Sequence, residues 1–135
     1  MSADVDARPT TEGVFGPPIH TYTRAQALAD GVLVDAGPLA QEAGFRWPVA
    51  LTQAAHAEAV AWNPEYEAGQ DETGRLWDVL WLATIAARAG RSRFTVARVP
   101  NAPDRVEAQD LDLVLHVGPG DTAAPVVTIS LPGED

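Results

Sequence analysis

A chain of 135 residues that is 46% apolar, with four tryptophans, excludes a disordered polypeptide and suits one domain, with roughly two thirds of its unfolded surface buried on folding. Nineteen carboxylates against nine cations give a formal net charge of −10, which argues against nucleic acid or anionic lipid as a direct partner. The absence of cysteine excludes disulfides and thiolate metal sites. The longest apolar stretch, Leu76 to Ala87, is broken by Asp78 and Thr84 and is too short to cross a bilayer, and the start (Ser2, Asp4, Asp6) lacks the pattern of a secretion signal, so the expectation is a cytoplasmic protein.

Residues 1–17, with Pro9, Gly13, Gly16 and Pro17 and no hydrophobic period, are expected to form a flexible tail ahead of a single domain over 18–135. Ile19-His20-Thr21-Tyr22 alternates and predicts a short strand. Thr23 is placed to cap a helix over Arg24 to Asp30, closed by Gly31 in the left-handed conformation. Val32 to Val34 predicts a strand or extended segment. Pro38 opens a helical turn through Ala43, closed by Gly44, and a strand follows from Phe45 to Leu51, with Pro48 marking an edge or a bulge. Thr52 caps a helix to about Trp62, which Asn63-Pro64 stops.

Glu65 to Gly74 is polar and aperiodic, a loop in which Asp71 or Thr73 can cap a helix starting near Arg75. From Leu76 to Ala87 that helix is apolar on nearly every face and predicts a central element covered from several sides. The period then changes to two. Arg93 to Val99, Leu111 to Val117 and Val127 to Leu131 each alternate greasy and polar positions. The expected fold is α+β: an antiparallel meander of C-terminal strands packed on a central Trp77/Trp81 helix, with shorter N-terminal strands and helices.

No catalytic constellation and no cofactor motif emerges. His56-Ala57-Glu58 has the His-x-Glu spacing of zinc nucleoside deaminases but lacks their thiolate ligands, and His20, His56 and His116 are scattered, so no metal is expected. Gly118-Pro119-Gly120 opens no helix and is a turn, not a phosphate loop. Asp110 and Asp112 share a strand face about 7 Å apart and can join Asp104 and Glu107 in a carboxylate patch, although a wetted strand face is the plainer reading. Trp77 and Trp81, four residues apart, stack on one helix face, as core or as the wall of a pocket. Asp78 inside the most apolar helix needs a partner such as Arg46, Arg75 or a backbone donor, in a structural ion pair or a functional carboxylate.

The segments Tyr22 to Asp35, Ala43-Gly44-Phe45-Arg46, Pro48 to Thr52 and Asp71-Glu72-Thr73-Gly74-Arg75-Leu76-Trp77-Asp78-Val79-Leu80-Trp81 together resemble an uncharacterised family of small bacterial, phage and plasmid proteins, a domain of unknown function. That resemblance implies a mobile-element context, in which accessory proteins often inhibit host defence. Ile19-His20-Thr21-Tyr22-Thr23, the following helix, Gly31 and Val32-Leu33-Val34 are similar to the opening of toxin-type ADP-ribosyltransferases. This second resemblance implies an NAD-dependent enzyme in which His20 or Arg24 holds NAD and Tyr22 stacks on the nicotinamide, but no late strand offers the glutamate such a site requires.

The favoured expectation is a non-enzymatic acidic interaction protein without a cofactor, acting on a protein partner with a basic, possibly nucleic-acid-binding, surface. Its candidate contacts are Glu65, Glu67, Asp71, Glu72, Asp104, Glu107, Asp110 and Asp112.

Overall fold

The computed structural model describes residues 22–134. The strand expected over 19–22 falls outside them except for Tyr22, which is irregular, and His20 and the expected tail also lie outside. Helix α1 (Arg24–Asp30) begins where Thr23 accepts the Gln26 amide while the Gln26 side chain accepts the Thr23 amide, a reciprocal cap, and it ends on Gly31 at φ 78°. Asp121, from the far end of the chain, accepts the Arg24 and Ala25 amides at 2.7 and 3.0 Å, so two more of the helix's free donors are satisfied.

Strand β1 (Leu33–Asp35) leads to helix α2 (Leu39–Ala43), strand β2 (Val49–Thr52) and helix α3 (Gln53–Ala59). The strand expected from Phe45 begins only after Pro48, because proline has no amide for the ladder. Its carbonyl instead accepts the Val127 amide at 2.9 Å. Thr52 caps α3 through the Ala55 amide, but α3 stops three residues earlier than Trp62. Helix α4 (Glu72–Arg88) starts one turn before the expected Arg75, with Asp71 as its N-cap on the Gly74 amide at 2.7 Å.

Strands β3 (Arg93–Arg98), β4 (Gln109–Pro119) and β5 (Pro125–Ser130) form the expected antiparallel meander. The sheet has five strands in the order β1-β2-β5-β4-β3, with β2 parallel to β5 and the other pairs antiparallel. Period-two alternation puts Val49, Leu51, Val96, Leu113, Leu115, Val127 and Ile129 on one face, where they pack on Val79, Leu80 and Ala83 of α4 and Ala55 and Ala59 of α3. Asp110, Asp112, His116, Thr128 and Ser130 occupy the other face.

Helix α4 is not enclosed from several sides as its composition predicts. One face, Arg75, Val79, Leu80, Ala83, Thr84 and Ala86, is buried, while Trp81 and Ile85 remain 46% and 47% exposed. The sheet and α2 reach the helix from the inner side, and no element among the described residues covers the outer one. No helix among these residues is long and apolar enough to cross a membrane.

Candidate functional site

Where α3 ends, α4 begins, β3 ends and β4 begins, two long loops meet. Two buried arginines join them. Arg75, 2% exposed on the first turns of α4, donates to the carbonyls of Val60 (3.0 Å), Glu58 (3.3 Å) and Val99 (2.8 Å) and to Gln70 Oε1 (3.3 Å). Its guanidinium lies 5.0 Å from the ring centre of buried Trp62, which Tyr66 meets edge-on. Arg98, 6% exposed at the end of β3, donates to the carbonyls of Ala59 (3.1 Å) and Arg75 (3.3 Å) and to Asp78 (3.0 Å).

The last carbonyls of a helix have no partner within it, and here guanidinium groups supply the donors that terminate α3. Burial, then the charge of Arg98, push the Arg75 guanidinium down to about 10, with Glu72 opposing the shift. The Asn63 amide donates to Asn101 Oδ1 at 3.0 Å, tying the 60–71 segment to the 99–108 loop, and Glu72 accepts the Trp62 amide at 2.9 Å.

This frame brings seven of the eight expected contact carboxylates to one end of the molecule. Glu65 and Glu67 stand on the first loop, Asp71 and Glu72 on the opening turn of α4, Asp104 and Glu107 on the second loop, and Asp110 at the start of β4, all exposed. Asp71 and Glu72 also serve structurally, as N-cap and as acceptor for Trp62. Asp112 stands apart, farther along β4, accepting from Thr95 at 2.7 Å with Arg93 4.0 Å away. Glu58, not anticipated from the sequence, joins Asp110, Arg98, Asn101 and Gln109 around a cavity of about 330 Å³. The opposite end of α4 and the start of β3 carry exposed Arg88, Arg91 and Arg93. Exposed Arg105 is the cation among the acidic loops themselves.

Asp78 pairs with Arg98 rather than with Arg46, Arg75 or a backbone donor, and the carboxylate is 60% exposed, so the buried member of the pair is the cation. Arg98 was legible in principle, since it continues the Phe94, Val96 alternation onto the core face. Trp77 and Trp81 stack as expected, ring centres 6.2 Å apart at 15°, with half-buried Trp77 packed against the core and Trp81 turned outward. Of the residues proposed for NAD, Tyr22 donates its hydroxyl to Asp30 at 2.7 Å, and that bond raises its phenol above the usual range. Arg24 is laid onto the sheet, donating to Thr128 Oγ1 (2.7 Å) and the Val127 carbonyl (2.8 Å), and burial lowers its guanidinium against the pull of Asp121 and Asp35. Among the described residues, no group of three or more histidines and carboxylates could hold a metal ion.

A family model described as a family of unknown function, DUF6573, matches residues 16–135. The chain belongs to this family. The match spans every described residue, both arginine staples and the acidic loops, and agrees with the membership that the Tyr22 to Asp35 and Asp71 to Trp81 segments imply. No curated protein and no solved structure is significantly similar to the chain. Family membership therefore brings no activity with it, and function has to be argued from the surface.

Proposed function

We propose that the chain is a non-enzymatic interaction protein whose acidic end docks on a basic protein surface, of the kind that otherwise binds nucleic acid. The observation that carries this reading is the gathering of Glu58 at the end of α3, Glu65 and Glu67 on the first loop, Asp104 and Glu107 on the second and Asp110 at the start of β4, around a frame held by Arg75, Arg98 and the Asn63 to Asn101 bond. Carboxylates on a fixed frame act like a row of phosphates towards an arginine-rich groove. They raise the association rate by steering, and they lose less side-chain and loop entropy on binding than carboxylates on a mobile loop. A role as a mobile-element accessory protein that inhibits a host defence enzyme fits this chemistry and is part of the proposal.

The test is capture of the partner from the natural host by the wild-type chain and by a variant carrying Glu65→Lys, Glu67→Lys, Asp104→Lys and Glu107→Lys. All four sites are exposed, so circular dichroism should be unchanged. The association rate should fall about tenfold or more, the dissociation rate should change little, and added salt should erase the difference. Equal association rates for the two proteins, or a partner whose binding surface is acidic, would overturn the proposal.

A further inference from the structure

Strand β3 lies at the edge of the sheet, paired with β4 alone. The Leu115 amide donates to the carbonyl of Ser92, which extends the same register, and antiparallel bonding alternates from there. Phe94, Val96 and Arg98 therefore turn their backbone groups to β4, while Arg93, Thr95 and Ala97 turn theirs outward. Farther along, arginines close this edge: Arg98 Nε donates to the Ala97 carbonyl at 3.1 Å and Arg75 to that of Val99 at 2.8 Å. Among the described residues nothing does the same for the amides and carbonyls of Arg93 and Thr95 or for the amide of Ala97, and all three residues are exposed. An unfinished ladder of this kind is a template for one more strand.

The surroundings of the open stretch define the strand that fits it. Leu82, Ile85 and Ala86 of α4 line a cavity of about 480 Å³ together with Phe94 and Arg91. On the outer face of the sheet stands Arg93, its side chain 62% exposed and Asp112 4.0 Å away. Side chains of an added strand alternate between those two sides. Apolar residues suit the cavity, and carboxylates suit the positions beside Arg93. A second copy of the chain is the poorer occupant, because β3 itself offers no carboxylate and each chain carries a formal charge of −10.

We propose that the Arg93 to Ala97 edge of β3 receives an extended segment of a partner protein that alternates apolar and acidic residues and adds a sixth strand to the five-stranded sheet. Backbone hydrogen bonds supply the attachment, and the cavity together with Arg91 and Arg93 supplies the preference for that pattern. The edge shares no residue with the acidic loops, so this docking stands or falls independently of the function proposed above.

The probe is a synthetic peptide, acetyl-Glu-Val-Glu-Val-Glu-Val-Glu-amide, titrated into the full chain and followed by NMR. Binding should saturate, and amide exchange at Arg93, Thr95 and Ala97 should slow by roughly tenfold or more, since these amides gain partners only in the complex. Arg91→Glu combined with Arg93→Glu should weaken binding by about tenfold or more with unchanged circular dichroism. Only alternate amides of a strand face its neighbour. N-methylation of one alternate set of peptide amides should therefore abolish binding, and N-methylation of the other set should leave it, a distinction that charge attraction alone does not make. Absence of saturable binding, edge amides that stay unprotected, or equal effects of the two methylated sets would rule the added strand out. Protection of the same amides in the chain alone, growing with its concentration, would assign the edge to a second copy and overturn the partner.

Discussion

Replacing Arg75 with methionine removes the guanidinium and keeps a side chain of similar length under Trp62. Two backbone carbonyls that now receive good hydrogen bonds, those of Val60 and Val99, lose their donor in a buried setting, at about 1–3 kcal/mol each. Loss of the cation over the Trp62 ring adds ~1 kcal/mol. Against this stands the relief of holding a cation out of water beside Arg98: the drop to about 10 marks a charged form disfavoured by ~2 kcal/mol after allowance for nearby solvent. The net expectation is a loss of about 3 kcal/mol in urea unfolding at neutral pH.

The pH dependence has a definite sign. The folded state releases the Arg75 proton near pH 10 and the unfolded state only at higher pH, so above pH 10 the unfolded chain binds more protons and the wild type gains stability from this group as pH rises. Below pH 10 the disadvantage of burying the charge is present in full. The stability gap between wild type and Arg75→Met should therefore widen from pH 8 to pH 10.5. A variant within about 0.5 kcal/mol of wild type at neutral pH, or a gap that narrows with rising pH, would refute the account of Arg75 as a staple.

Other consequences are as direct. Arg98→Met should cost about 2–4 kcal/mol, because the Ala59 and Arg75 carbonyls lose their donor, whereas Asp78→Asn, on the exposed partner, should cost under about 1 kcal/mol; denaturant titration of both separates a guanidinium that serves carbonyls from one that serves an ion pair. Asp121→Ala should cost about 1–2 kcal/mol and raise amide exchange first at Arg24 and Ala25, whose donors it frees. Gly44→Ala should be worse than Gly31→Ala in thermal melts. Gly31 at φ 78° sits close to the left-handed helical well that an alanine can enter at modest cost, whereas Gly44 at φ 121° lies outside it, and the exposed Arg88 tip would also have to shift.

The local grammar of the sequence was readable where one residue type does one job. Thr23, Thr52 and Asp71 cap their helices, Gly31 ends α1 left-handed, and the alternation in the last third of the chain gave both the meander and its buried face. What depends on distant partners was not. Nothing near Val49 to Thr52 announces that it will lie parallel to β5, since parallel and antiparallel strands share the same alternation. Composition also misjudged α4, because an apolar helix packed on one side of a sheet can leave an indole and an isoleucine, Trp81 and Ile85, outside. The eight acidic candidates were named from exposure and charge alone. That seven of them converge follows from Arg75 and Arg98, whose carbonyl partners lie 15 to 39 residues away along the chain.

Those two arginines tie the stability of the core to the geometry of the acidic loops, and this gives the proposed function a prediction that surface mutations cannot make. Arg75 is buried and offers almost no surface to a partner, so in a purely electrostatic account its removal should leave binding unchanged. If the frame matters, Arg75→Met frees the 60–71 segment and the 99–108 loop to move, and the complex must restore their order when it forms. The carboxylates that steer the encounter are all still present, so the association rate and its salt dependence should hold near wild type. The dissociation rate should rise about tenfold, one to two kilocalories per mole of ordering at the interface. Measured at a temperature where the variant remains fully folded, a fall in association rate instead, or no change in either rate, would show that the charges act without the scaffold beneath them.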